Sequence, residues 1–180
     1  MKQYDCIFLD RDGTLNPDPG YISDISDYNF YEFALPALKL MSRNNNRFCI
    51  ITNQSGVSRG LISIESLNTI NNFIRKTFSE NSISLLDIYM CFDHPDNASN
   101  RRKPGLGMFL EAKKEYNLKL PNCLMVGDSI LDMKAGKNLG METMLVLTGE
   151  GEKTLKNLLD SKFISYVAED IYEGFKQLCH

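Results

Sequence analysis

Short apolar runs alternate with helix-length amphipathic segments along nearly the whole of this 180-residue chain, and no other feature restricts its fold as much. Parallel strands cannot be joined by a tight hairpin; they need a crossover of a dozen or more residues, usually a helix. The sheet that results must be covered on both faces. The pattern predicts strands over Tyr4–Leu9, Arg47–Ile51, Leu86–Cys91, Asn122–Val126, Glu142–Leu147 and Phe163–Val167. It predicts helices over Leu35–Asn44, Ser63–Glu80, Gly105–Tyr116, Leu131–Leu139, Gly151–Leu159 and Ala168–Gln177. Local signals agree with these boundaries. Pro36 suits an early helical position, Ser63 with Ser66 suits an N-cap, and Gly140 suits a left-handed helix end. The expected fold is α/β, a Rossmann-like three-layer sandwich around a mostly parallel central sheet. Residues 1–180 contain no linker, repeat or low-complexity stretch, so one domain is expected.

Within that frame, the first predicted strand runs Cys6-Ile7-Phe8-Leu9 into Asp10-Arg11-Asp12-Gly13-Thr14. Two carboxylates arrive at a strand's C-terminal end, where open α/β sheets bind ligands. Buried carboxylates cost several kcal/mol unless a cation compensates them, so a metal site is one reading. An Asp-rich surface turn is the other, and this segment alone leaves both open.

Three further pieces follow in order. Thr52-Asn53-Gln54-Ser55-Gly56 comes after the second predicted strand. Arg102-Lys103-Pro104-Gly105 stands ahead of a helix. Leu124-Met125-Val126 leads into Gly127-Asp128-Ser129-Ile130-Leu131-Asp132. Together they resemble the haloacid dehalogenase superfamily, with its motifs DxDGT, Ser/Thr, Lys and GDxxxD, over roughly residues 4 to 148. Gly20-Tyr21, Thr52 to Gly60 and Arg102-Lys103-Pro104 are similar to the branch holding the histidinol-phosphate and heptose-bisphosphate phosphatases. The long non-periodic segments Asn16 to Phe33 and Phe92 to Arg102 are too short for a lid domain. The resemblance is therefore to a capless member, whose loops shape the pocket.

That resemblance implies a Mg²⁺-dependent phosphatase acting on a small phosphorylated metabolite, most closely heptose bisphosphate, with histidinol phosphate as the first rival. Asp10 would be the nucleophile, forming an aspartyl phosphate. Asp12 would be general acid and then base, a role that calls for a carboxyl pKa above the usual value of about 3.9. The metal would be held by the Asp10 side chain, the Asp12 backbone carbonyl and the Asp128 side chain. Thr52 and the Asn53 N–H would bind phosphate, and Lys103 would neutralise it. Arg102 would face the substrate, with Arg59 at the pocket mouth. Asp132 would orient Lys103 or a metal-bound water. Each has a plainer alternative: Thr52 as a cap, Lys103 as a solvated lysine, Asp132 as a first-turn carboxylate complementing its helix.

Many members of this branch carry a structural zinc bound by Cys-x-His and then Cys-x-Cys. Here Asp93 stands at the histidine position of Cys91-Phe92-Asp93-His94 and the later cysteine pair is missing. Zinc is not expected, since a structural site wants four ligands. The net charge of -3 gives no electrostatic footprint for nucleic acid, which weighs against a polynucleotide 3′-phosphatase. No apolar run is long enough to span a bilayer. A non-catalytic binding module on the same fold would be expected to have lost the nucleophile. A cytoplasmic monomer is expected, with dispersed cysteines that suit a reducing compartment.

Overall fold

In the computed structural model, which describes residues 2–158 and 161–179, six strands form one all-parallel sheet. They are β1 (Ile7–Leu9), β2 (Phe48–Asn53), β3 (Leu85–Cys91), β4 (Leu124–Gly127), β5 (Glu142–Val146) and β6 (Tyr166–Ala168). Their order is β3-β2-β1-β4-β5-β6. The helices are α1 (Ala34–Ser42), α2 (Ile64–Glu80), α3 (Gly107–Tyr116), α4 (Ile130–Asn138), α5 (Gly151–Lys156) and α6 (Ile171–Gln177).

The period of two along each strand sorts its side chains into two cores. Ile7, Leu9, Ile50 and Val126 point to one face, where they meet Leu38 and Met41 of α1, Ile70 and Ile74 of α2, and Phe175 of α6. Cys6, Phe8, Cys49, Ile51 and Met125 point to the other, against Met108 and Phe109 of α3 and Ala135 of α4. Phe8 and Phe109 meet edge-to-face with centroids 5.2 Å apart, an arrangement the ring quadrupoles favour. Two helical layers thus cover both faces of the central strands, as the expected sandwich requires, while the edge strands β3 and β6 stay partly exposed.

The element boundaries show where local tertiary contacts override periodicity. β1 begins at Ile7 rather than Tyr4; the Tyr4 and Asp5 amides donate instead to Asn46 Oδ1 and the Asn122 carbonyl. β6 starts at Tyr166, because the Phe163 carbonyl is taken by the Thr143 hydroxyl, 2.6 Å away. α6 begins after Asp170, whose carboxylate accepts from the Tyr172 and Glu173 amides as an N-cap. α3 starts at Gly107, whose amide closes a turn onto the Asn100 carbonyl. α5 ends at Lys156; its expected end at Leu159 lies outside the described residues. Ser63 caps α2 through the Ser66 amide, and Gly140 adopts φ 74° after α4.

Chain direction from β1 runs outward through β2 and β3, then returns to β4 on the opposite side of β1. β1 and β4 therefore flank the point where the winding reverses, and the crevice above their C-terminal ends is where such sheets receive ligands.

Candidate active site

Asp10 is the first residue beyond β1, and its amide donates to the Val126 carbonyl of β4. The chain then turns sharply. Leu15 N–H donates to Arg11 O and Gly13 N–H to Asn16 O, with Gly13 at φ 81°. The glycine is required twice over, because a Cβ there would lie 2.2 Å from Asp128 Oδ2. Gly149, in the loop after β5 and at φ 55°, meets the same oxygen: its Cβ would also stand 2.2 Å away. Asp128, which follows β4, is thus set between two glycines, and its Oδ2 accepts from the Glu150 amide at 2.8 Å. Thr148 Oγ1 donates to Gly13 O at 2.6 Å, tying that loop to the Asp10 turn.

Lys103 reaches this crevice from the connection after β3 and is only 3% exposed. Its Nζ lies 2.8 Å from Asp10 Oδ1 and 2.6 Å from Asp132 Oδ1, and donates to Ile51 O at 2.8 Å. The lysine backbone is clamped by the Asn53 amide group, which accepts from Lys103 N–H and donates to Lys103 O. Asp132 is fully buried in the first turn of α4. Its Oδ2 accepts from the Ser129 amide in a capping box. It therefore does both things its position allowed: it caps the helix and holds the lysine.

Ligand oxygens of Asp10, Asp128 and Asp132 all lie within 4.8 Å of one another. One ammonium faces two buried carboxylates and a third, Asp10, that is partly buried, so negative charge is in excess. Burial pushes the Asp10 carboxyl well above its ordinary pKa, and Asp132 and Asp128 add to the rise against the pull of Lys103. Burial and the Asp132 charge raise Asp128 to about 7. Lys103 is itself raised: burial opposes its charge, but Asp10 and Asp132 outweigh that. Hard oxygen donors with uncompensated charge suit a small divalent cation.

Asp12 departs from expectation. Burial would raise its carboxyl, but the Arg11 guanidinium, Asn16 and Gln54 more than offset this and hold it below the ordinary value. Arg11 is 1% exposed and grips Asp12 through both Nε and Nη2. The raised pKa that proton donation calls for is absent from this conformation, because a buried arginine beside the carboxylate stabilises its charge.

Thr52 and Asn53 close β2 at the floor of a cavity of about 380 Å³, shared with Asp10, Asp12, Lys103, Asp128 and Asp132. Arg102 stands on its wall with Nη1 donating to Asp93 O. Tyr21 forms part of the rim and packs on Gly56, where a Cβ would come within 2.8 Å of its ring. Arg59 is exposed and lies outside this lining. Sequence reasoning passed over Arg11, Asn16, Asp18, Thr148, Gly149 and Glu150. In the Cys91 loop, His94 Nδ1 accepts from the Asp96 amide and Asp93 Oδ2 from the Ser99 amide.

A doubly wound parallel sheet with an Asp-x-Asp turn, a buried lysine and a Gly-Asp at its switch point defines a haloacid dehalogenase-type phosphatase. A family model described as HAD-hydrolase-like matches residues 100–174. A D-glycero-β-D-manno-heptose-1,7-bisphosphate 7-phosphatase of Haemophilus influenzae is 35% identical over 86% of this chain and 91% of its own length. That of Vibrio cholerae is 35% identical over 86% and 90%. The crystal structure of a D,D-heptose 1,7-bisphosphate phosphatase from B. bronchiseptica, complexed with magnesium and phosphate, superposes with a TM-score of 0.89 at 30% identity, covering 99% of this chain and 98% of that one. The chain belongs to this family of HAD-like phosphatases, and it is a hydrolase of phosphate esters.

Proposed function

We propose that the substrate is D-glycero-β-D-manno-heptose 1,7-bisphosphate and that its 7-phosphate is removed through an aspartyl phosphate on Asp10. The observation that carries the mechanism is the placement of Asp10 beside Lys103, 2.8 Å away, and within one carboxylate cluster with Asp128. The identity of 35% to heptose-bisphosphate phosphatases over most of the chain supports the substrate.

The carboxylate cluster fits Mg²⁺, which the Asp10 and Asp128 side chains and the Asp12 carbonyl would hold. Bound there, it would neutralise phosphate charge and so lower the repulsion between two anions. An Asp10 oxygen attacks phosphorus, the bond from phosphorus to the ester oxygen breaks, and Asp12 gives that oxygen a proton. Water, losing its proton to Asp12, then attacks the acyl phosphate; the bond from phosphorus to Asp10 breaks and the carboxylate returns. Thr52 and the Asn53 N–H hold phosphate oxygens, and Lys103 offsets their charge. Asp132 holds Lys103 in place, and Arg102 faces the rest of the substrate. Zinc has no part in this reading, which treats residues 1–180 as one capless domain acting as a monomer on a small molecule.

Two measurements test it. Asp10→Asn should reduce turnover to background with the fold intact; retained turnover would reject the covalent route. Across a panel of sugar phosphates and histidinol phosphate, kcat/KM should be highest for heptose bisphosphate. A higher value for histidinol phosphate would reject the substrate while leaving the chemistry standing.

A further inference from the structure

Asp12 carries both proton transfers in the reading above, and the present inference rests on that assignment. Each of its oxygens accepts two hydrogen bonds. Oδ1 takes them from Arg11 Nε at 3.0 Å and Asn16 Nδ2 at 2.9 Å. Oδ2 takes them from Arg11 Nη2 and Gln54 Nε2, both at 2.7 Å. Arg11 and Asn16 belong to the same tight turn as Asp12 and move with it. Gln54 does not. It follows β2, is 4% exposed, and its backbone N–H donates to the Cys91 carbonyl at 2.7 Å. Its Nε2 also donates to Thr52 Oγ1 at 2.9 Å, which fixes the amide plane.

We propose that Gln54 is a positioning residue: its amide fixes the direction of the Asp12 carboxyl relative to the phosphate subsite at Thr52. The turn by itself locks Asp12 only to its own neighbours. A proton donor must also be registered against the ester oxygen, and that oxygen is located by groups on β2. Gln54 is the side chain that joins the two frames, with one N–H on Asp12 and the other on Thr52. Removing it leaves Asp12 tied to Arg11 and Asn16 of its own turn, but without this link to Thr52 on β2. Small errors in donor placement are expensive in proton transfer.

The test uses leaving groups of different basicity. A sugar or other alkyl phosphate releases a strongly basic alkoxide and needs the proton; p-nitrophenyl phosphate releases a stable phenolate and does not. For the Mg²⁺-loaded protein, kcat/KM reports only the steps through cleavage of the ester bond, so the later use of Asp12 as a base does not enter. Gln54→Leu should lose kcat/KM at least ~10-fold more on the alkyl ester than on the aryl ester. Gln54→Met, unbranched and close in length, repeats the measurement if the leucine variant fails to fold. Asp12→Asn is the reference and should show the same selectivity to a greater degree. If Asp12→Asn slows both esters alike, the assignment of Asp12 falls. If Asp12→Asn is selective but the Gln54 variants lose equally on both esters, or lose nothing, the role of Gln54 is refuted.

Discussion

Asp128 shows how much of a reactive group's setting lies in residues that carry no chemistry. Its Oδ2 sits against the Cα positions of Gly13 and Gly149, each too close to tolerate a Cβ. Gly149→Ala would press a methyl group onto that carboxylate and also strain a backbone at φ 55°. We expect kcat to fall by about 100-fold or more, since misplacing a group by roughly 1 Å costs that much. The fold should survive, and circular dichroism would separate loss of the site from loss of structure. Asp10 and Asp128 were legible because each follows an apolar run, and Lys103 because Arg-Lys-Pro stands between those two motifs in a fixed order. Gly149 was not: Thr148-Gly149-Glu150-Gly151 reads as an ordinary turn, and its closeness to Asp128 exists only once β4 and β5 pair. Arg11 was hidden for a related reason, since a charged residue in a loop reads as solvated until its neighbours bury it.

Among the elements, β1 is the shortest strand to carry so much. Its three residues are wholly buried between β2 and β4 and deliver Asp10 to the crevice. Phe8→Ala removes the ring that meets Phe109, and should destabilise the protein by roughly 3–5 kcal/mol. Urea denaturation would measure it, and a change under about 1 kcal/mol would mean the helical layer relaxes into the void. Helices and strands were readable in kind and order; their ends were not. β1, β6, α3 and α6 each start later than periodicity suggests, because Asn46, Thr143, Asn100 and Asp170 claim backbone groups from outside the repeating pattern. Periodicity registers which face a residue shows, and says little about which carbonyl another segment will take.

For the molecule as a whole, the carboxylate cluster links folding to pH and to the cation. Asp128 is raised from 3.8 to about 7 in the folded chain. Between those values the folded, metal-free protein keeps a proton that the unfolded chain has released. Its contribution to stability therefore falls as pH rises through that window and levels off above it. Asp10 is raised and acts in the same direction. Asp12, lowered by its partners, favours the fold above its unfolded pKa and loses that effect only in acid. Mg²⁺ competes with these protons, so saturating Mg²⁺ should raise Tm more at pH 8 than at pH 5, relative to chelator-treated protein. Equal shifts at both values would place the cation elsewhere.

The Lys103 ammonium is already engaged within the pocket: it donates to the Ile51 carbonyl and stands 2.8 and 2.6 Å from carboxylate oxygens of Asp10 and Asp132. An incoming phosphate cannot simply add a contact there; it has to exchange for one that the pocket made with itself. A sugar ester has the rest of its body with which to drive the exchange. Inorganic phosphate lacks that body, so under the proposed chemistry it should inhibit only weakly, with a Ki well above the KM of the sugar ester.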